Sequence, residues 1–215
     1  VTGSPARMLG IDFSPPLRAT DAQLMQRFPL GASVKLAAVY KQGPWWRDLG
    51  LQGDILAAAG TPSLPDGTPL FVQCVDHSPF SRRLGVLACF VEGKQNFHLT
   101  QLPLSEQRRL LLGFLRLSFN DSRAETYEPQ VVSHNWADSP FTRGAYTGYL
   151  PPGVMSVPEL WAAFKAQEKL PNVFFAGSDY HDGFGNGYIE GAIRSGQQAA
   201  ALIHARLQGP RLQPA

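Results

Sequence analysis

The sequence predicts an α+β fold: a mixed or antiparallel sheet with helices, followed by a separate strand–loop–helix at the end of the chain. Three observations predict it. Several short apolar runs succeed one another in the first half, separated by Pro, Gly and Asp clusters, and this favours antiparallel pairing. Leu104–Phe119 has leucines crowded on one side and reads as a central helix. Val173-Phe174-Phe175-Ala176 reads as a buried strand that stops at Gly177; a glycine-rich loop and a helix of small residues, from about Tyr188 to Leu207, follow it. The order of strands and helices is not a regular βαβ alternation, which separates α+β from α/β.

Each element has its own reason. Ile11 to Pro29 is loop-like, with Pro15-Pro16 and a short helical pattern around Asp21–Arg27. Ala32–Tyr40 alternates in part and reads as a strand, broken by Gly43-Pro44 before Trp45-Trp46. Gly53–Ala59, Leu70–Asp76 and Gly85–Val91 read as further short strands. In Leu104–Phe119, Ser105 can cap the helix and Glu106 suits its first turn. Glu128–Trp136 reads as a strand, Ser139–Gly153 as an aromatic and glycine-rich loop, and Val157–Gln167 as a short helix.

Composition narrows the function. The 215 residues suffice for one large domain or two small ones, and 44% are apolar, as a globular core requires. The net charge is +2 and no basic run exceeds Arg82-Arg83 or Arg108-Arg109, so a nucleic-acid partner is not expected. No apolar run reaches membrane-spanning length, so no membrane partner is expected either. Cys74 and Cys89 lie in strand-like runs without a CxxC and read as buried free thiols. With no signal-peptide pattern, a cytoplasmic location is expected. The five histidines show neither HxxxH nor HExxH spacing, so no metal site is expected. The chain has no initiator Met and reads as a fragment, a processed subunit or a trimmed chain.

A few residues stand out for chemistry. Lys35 is flanked by apolar positions. It reads either as an edge residue with its head in water or as a buried amine that holds a water molecule. Tyr146 and Tyr188 lie among glycines in separate segments; they read as packing residues or as two rings facing a small amine. The strand–glycine loop–helix at the end offers free N–H groups at a helix start, which suit a phosphate or an electron-rich ring edge.

Phe174-Phe175-Ala176-Gly177-Ser178-Asp179, then Gly187-Tyr188-Ile189-Glu190-Gly191-Ala192, resembles the C-terminal flavin motif of the flavin-containing amine oxidases, the monoamine oxidase group in particular. Phe28-Pro29-Leu30-Gly31…Lys35…Val39-Tyr40…Pro44-Trp45-Trp46 resembles that family's substrate-domain strand. Asn135-Trp136…Arg143-Gly144-Ala145-Tyr146…Pro151-Pro152-Gly153 resembles its flavin-facing loop. The three motifs occur in the family's order and span most of the chain.

The resemblance implies two domains: a substrate-binding domain over residues 1–135, and the C-terminal part of an FAD-binding domain over 136–215. It implies that Lys35 holds a water against flavin N5 and that Tyr146 and Tyr188 guide the amine. Trp136 would lie near the isoalloxazine ring, Gly177, Ser178 and Asp179 at the pyrophosphate and ribityl chain, and the Ile189 N–H at the flavin N1–C2=O edge. Gly187 and Ala192 complete the cofactor set. Ala145 stands where membrane-bound relatives carry the cysteine that attaches flavin, so non-covalent FAD is implied. The implied reaction is oxidation of an amine to an imine, hydrolysed to the aldehyde, with O2 reduced to H2O2. An L-amino-acid oxidase and a non-catalytic interaction module are the alternatives. The family's GxGxxG fingerprint is not found. An N-terminal FAD-binding chain or segment is therefore expected as partner, or else self-association of this chain.

Overall fold

A computed structural model describes residues 1–56, 61–70 and 72–208. In chain order it contains α1 (Pro5–Met8), α2 (Ala19–Gln26), β1 (Ser33–Tyr40), β2 (Gln73–Asp76), β3 (Gly85–Glu92), α3 (Lys94–Thr100) and α4 (Leu104–Phe119). There follow α5 (Arg123–Thr126), β4 (Gln130–Asn135), α6 (Pro158–Lys165), β5 (Glu168–Leu170), β6 (Val173–Phe174) and α7 (Ile189–Gln208). Short 3-10 turns interrupt the loops, among them Trp136–Asp138 and Ser178–Tyr180. The α+β class is as expected. The chain forms two compact units, one of Val1–Gly31 with Pro140–Ala215, the other of Ala32–Ser139.

The Ala32–Ser139 unit is built on an antiparallel sheet of order β2-β3-β1-β4. Period-two alternation sorts β1 into two faces. Val34, Leu36, Ala38 and Tyr40 are buried in the core with Leu87, Cys89 and Val91 of β3 and Leu110, Leu111, Phe114 and Leu115 of α4. Lys35, Ala37 and Val39 point to the opposite face and are half-buried. The Tyr40 hydroxyl donates to Ala124 O at 3.0 Å, and burial pushes this phenol well above its ordinary range. Trp45, Trp46 and Phe119 close the core through edge and stacked contacts of 5.0–6.1 Å.

Several expectations are corrected here. β1 lies between β3 and β4, so Lys35 is not an edge residue. Cys74 and Cys89 are directly paired across β2 and β3 and form a disulfide, not two free thiols. Only the strand register brings them together, and their spacing of 15 carries no motif. Pro103 occupies the α4 N-cap with no capping side chain, so Ser105 caps nothing. Of the expected strand Gly53–Ala59, Ile55 makes one bridge to Cys74 and residues 57–59 lie outside the described residues. Phe71, in the expected strand Leu70–Asp76, also lies outside them. Helix α3 has no sequence-level expectation; Gly93, at φ +61°, turns the chain from β3 into it.

In the other unit the first 31 residues join the C-terminal segments, which corrects the expected division at 135/136. The reason is backbone pairing. The Val1 backbone nitrogen donates to Phe174 O at 2.8 Å, Ala176 N–H donates to Val1 O at 2.9 Å, and the Tyr180 hydroxyl donates to Gly3 O at 2.8 Å. Met8, Met25, Phe175 and Tyr180 form one apolar cluster; Leu24, Phe28, Leu160, Ala163 and Phe164 belong to a second. Helix α7 buries only Gly191, Ser195 and Ala199, a stripe of small residues at i, i+4, i+8.

A buried ion pair ties this unit together. Lys169 Nζ lies 3.4 Å from Asp21 Oδ1 and donates to Ala163 O, while Arg18 Nε donates to Asp21 Oδ2 at 2.7 Å. Burial holds the Lys169 ammonium below the usual lysine range despite the pull of Asp21. The unfolded chain then binds this proton more tightly than the folded one, so stability rises with pH between the folded and the unfolded lysine values. Asp21→Leu strands the ammonium and is expected to cost about 3 kcal/mol or more in urea unfolding. Adding Lys169→Met is expected to recover most of that loss and to flatten the alkaline pH slope.

Candidate active site

The glycine loop before α7 is shaped by close backbone approach. A Cβ on Gly191 would sit 2.2 Å from Gly185 O, so only glycine lets the first turn of α7 close on the loop. Gly185 and Gly187 have φ of +88° and +78°, a region that L side chains rarely adopt. Gly185 O accepts from Tyr188 N at 2.9 Å and from Gly191 N at 3.1 Å. Among the described residues, the N–H groups of Ile189 and Glu190 have no backbone acceptor. A 20-residue helix thus begins with free donors at an exposed residue, where negative charge is stabilised. Ala192 is one turn in, and its N–H donates to Tyr188 O at 3.1 Å.

Asp179 fixes this loop to the aromatic segment. It is buried, and its Oδ1 accepts from the Thr147 hydroxyl at 2.6 Å and from Gly148 N–H at 2.9 Å. A Cβ on Gly187 would lie 2.9 Å from Thr147 Oγ1, so the two loops are in contact there as well. Tyr146 and Tyr188, each the immediate chain neighbour of one of these contact residues, are brought into one region. Both rings are largely exposed, at 65% and 75%. The loop is held from behind. Ser178 O accepts from Gly187 N–H and from the Asn186 amide, each at 3.2 Å; Gly177 N–H donates to Ser195 Oγ at 3.1 Å. Gln167 donates to Ser195 O at 2.9 Å. Ala145 N–H donates to Gly31 O at 2.9 Å, which anchors the segment before Tyr146.

Sequence reasoning missed Thr147, Gln167, Asn186 and Ser195. The stripe Gly191, Ser195, Ala199 carried a readable signal in its helical spacing. The others depend on contacts between distant segments. The expected cofactor role of Asp179 meets a structural demand, since one of its oxygens already holds Thr147 and Gly148.

Lys35 and Trp136 belong to the sheet unit. Lys35 Nζ lies 5.3 Å from the centroid of the Phe90 ring, its partner on β3. Its partner on β4 is His134, whose ring meets Trp136 edge-on with centroids 4.6 Å apart. The next row on that face is uncharged: Val75, Ala88, Ala37 and Val132. Among the described residues no group of three His, Cys, Asp or Glu side chains could hold a metal ion. Nor is any helix there long and apolar enough to cross a membrane.

The residues at the start of α7 could hold a flavin edge: the N–H groups of Ile189 and Glu190 have no backbone acceptor among the described residues, and glycines stand where side chains would obstruct. Comparison with known proteins gives the family. AofH of Mycobacterium tuberculosis, a candidate flavin-containing monoamine oxidase, is 31% identical over 203 residues, which are 94% of this chain and 40% of that protein. The L-amino acid dehydrogenase of a Synechocystis species is 30% identical over 94% of this chain and 40% of its own length. The solved structure of cyclohexylamine oxidase from Brevibacterium oxydans superposes with a TM-score of 0.82 at 27% identity, covering 97% of this chain and 42% of that one. The chain thus spans about 40% of the length of the relatives it matches. The family model for flavin containing amine oxidoreductases matches residues 1–204, and the chain belongs to that family.

Proposed function

We propose that this chain forms the substrate side and the C-terminal cofactor edge of an enzyme that oxidises a small amine to an imine, which water hydrolyses to the aldehyde. The observation that carries this reading is the joining of the Tyr146 and Tyr188 segments through Asp179 at a helix start with unpaired N–H groups. Bound FAD would supply the two-electron acceptor for the amine, with O2 as the terminal acceptor reduced to H2O2. The Ile189 N–H and the α7 dipole stabilise negative charge at the flavin edge. Gly177, Ser178, Asp179, Gly187, Ala192 and Trp136 form the rest of the cofactor set. Ala145 offers no thiol, so attachment is non-covalent.

The chain's own residues do the following. Tyr146 and Tyr188 present aromatic faces that attract and orient the amine. Apolar surroundings favour its neutral form, which alone carries a lone pair. Lys35 holds a water molecule at the reactive edge. The uncharged row beside Lys35 suits a plain hydrocarbon group on the substrate. An amino-acid substrate needs a cation for its carboxylate. Arg143, exposed in the loop before Tyr146, is the candidate for that alternative. An N-terminal FAD-binding segment or chain supplies the dinucleotide fingerprint. The Cys74–Cys89 disulfide counts against the expected cytoplasmic location, since disulfides are rare in reducing compartments.

Lys35→Met is expected to slow turnover of the flavin-loaded protein by about tenfold or more, roughly 1.4 kcal/mol of barrier, in stopped-flow reduction and reoxidation. Benzylamine is expected to reduce the flavin and L-phenylalanine is not; the reverse preference would select the amino-acid reading. The purified protein, supplied with FAD and its N-terminal segment, is expected to show the visible absorbance of bound flavin, released as free FAD on denaturation. A protein that stays colourless would select the non-catalytic reading.

A further inference from the structure

A small cavity opens on the face of the sheet that carries Lys35. Its volume is about 180 Å³, and it is lined by Gln73 of β2, Phe90 and Glu92 of β3, and Gln95 of α3. Register puts Gln73, Phe90 and Lys35 in one row across neighbouring strands, and period two puts Glu92 on the same face as Phe90. Strand β3 lies between β1 and β2, so in this row Phe90 separates Lys35 from Gln73. Lys35 Nζ rests 5.3 Å from the centroid of that ring. The walls are fixed. Cys74 and Cys89, the pair next to Gln73 and Phe90, are joined by the disulfide, so β2 and β3 cannot part there. Gly93 N–H donates to Ala32 O at 2.9 Å and holds the turn after Glu92. Gln95 Nε2 donates to Pro69 O at 3.1 Å.

The lining suits one kind of group. Among the described residues the Glu92 side chain makes no hydrogen bond or ion pair, and it is the one ionisable member of the lining. Gln73 and Gln95 carry amide carbonyls, which accept hydrogen bonds, and Phe90 presents a ring. A carboxylate, amide oxygens and an aromatic ring gathered at one cavity recognise an ammonium ion. Neighbouring strands lie about 4.8 Å apart, so a cavity on β2 and β3 stands about 5–10 Å from the row position of Lys35. An extended chain advances about 1.2 Å per bond, so five carbons with an amine at each end reach about 7 Å. We propose that the cavity is a subsite for a distal ammonium and that the preferred substrate is an aliphatic diamine of about five carbons. The inference rests on the amine oxidation proposed above and on the place of Lys35 in it. One amine reacts in its neutral form. The other stays protonated against Glu92 and fixes which end of the substrate faces the reactive edge. The same carboxylate repels a substrate carboxylate, which disfavours an amino acid lying in this direction.

Two amines of equal length test this. In the flavin-loaded protein, kcat/KM for 1,5-diaminopentane is expected to exceed that for pentylamine by about tenfold or more, the size of one well-placed charge contact. Glu92→Gln keeps the shape of the side chain and removes its charge. It is expected to bring the ratio of the two values to within about threefold of unity, and Glu92→Asp is expected to retain part of the preference. A wild-type ratio near unity, or a preference that survives Glu92→Gln, overturns the subsite. A binding measurement separates the inference from its premise. In calorimetric titration with 1,5-diaminopentane, the flavin-loaded wild type is expected to bind about tenfold more tightly than Glu92→Gln. Equal affinities overturn the subsite. If the diamine binds through Glu92 yet neither amine reduces the flavin, the oxidase reading fails while the ammonium subsite stands. If both amines reduce the flavin with equal kcat/KM, the oxidase reading stands and the subsite fails.

Discussion

One buried carboxylate oxygen organises the C-terminal half of the molecule. Asp179 Oδ1 takes a hydroxyl from Thr147 and an N–H from Gly148, and so joins two loops that are more than thirty residues apart in sequence. An acid in a buried position costs free energy unless its lone pairs are satisfied. Here the donors come from the segment that carries Tyr146. The cost of burying the acid and the placing of an aromatic side chain are therefore met by the same two hydrogen bonds. The glycines complete this arrangement. Gly191 lets the helix start close on Gly185, and Gly187 lets the loop approach Thr147. Free N–H groups at the head of α7 follow from that closure and from no side chain at all.

The sheet unit rests on a simpler rule. Alternation along β1 divides its residues between a sealed aliphatic core and an open face. Lys35 falls on the open face because Val34 and Leu36 are needed inside. Its central position in the sheet then fixes its neighbours on both sides, Phe90 and His134, more firmly than a loop could.

Much of this was legible in the residues. Periodicity located β1, β3, β4 and α4 within a residue or two, because each buries one face and so leaves a repeat in the chain. The α7 start was legible because glycine, aromatic and small residues occur where backbone geometry demands them. What was missed depends on partners far apart in sequence. Nothing within residues 1–31 says that they will pair with Phe174 and Ala176. Ser105 has the chemistry of a cap but stands one residue inside the helix, where its hydroxyl cannot reach the first free N–H groups. Gln107, an internal polar residue of α4, is explained by two contacts the sequence does not announce: its amide donates to Leu102 O at 2.8 Å and accepts from the Ser133 hydroxyl of β4 at 2.8 Å.

The cysteine pair illustrates the same limit and has an effect of its own. Cys74 and Cys89 bracket the exposed turn between β2 and β3, which carries Arg82 and Arg83. A protease that cuts after either arginine opens the polypeptide there but does not part the two strands. The nicked protein keeps its mobility in a non-reducing gel and separates into two pieces only after thiol is added.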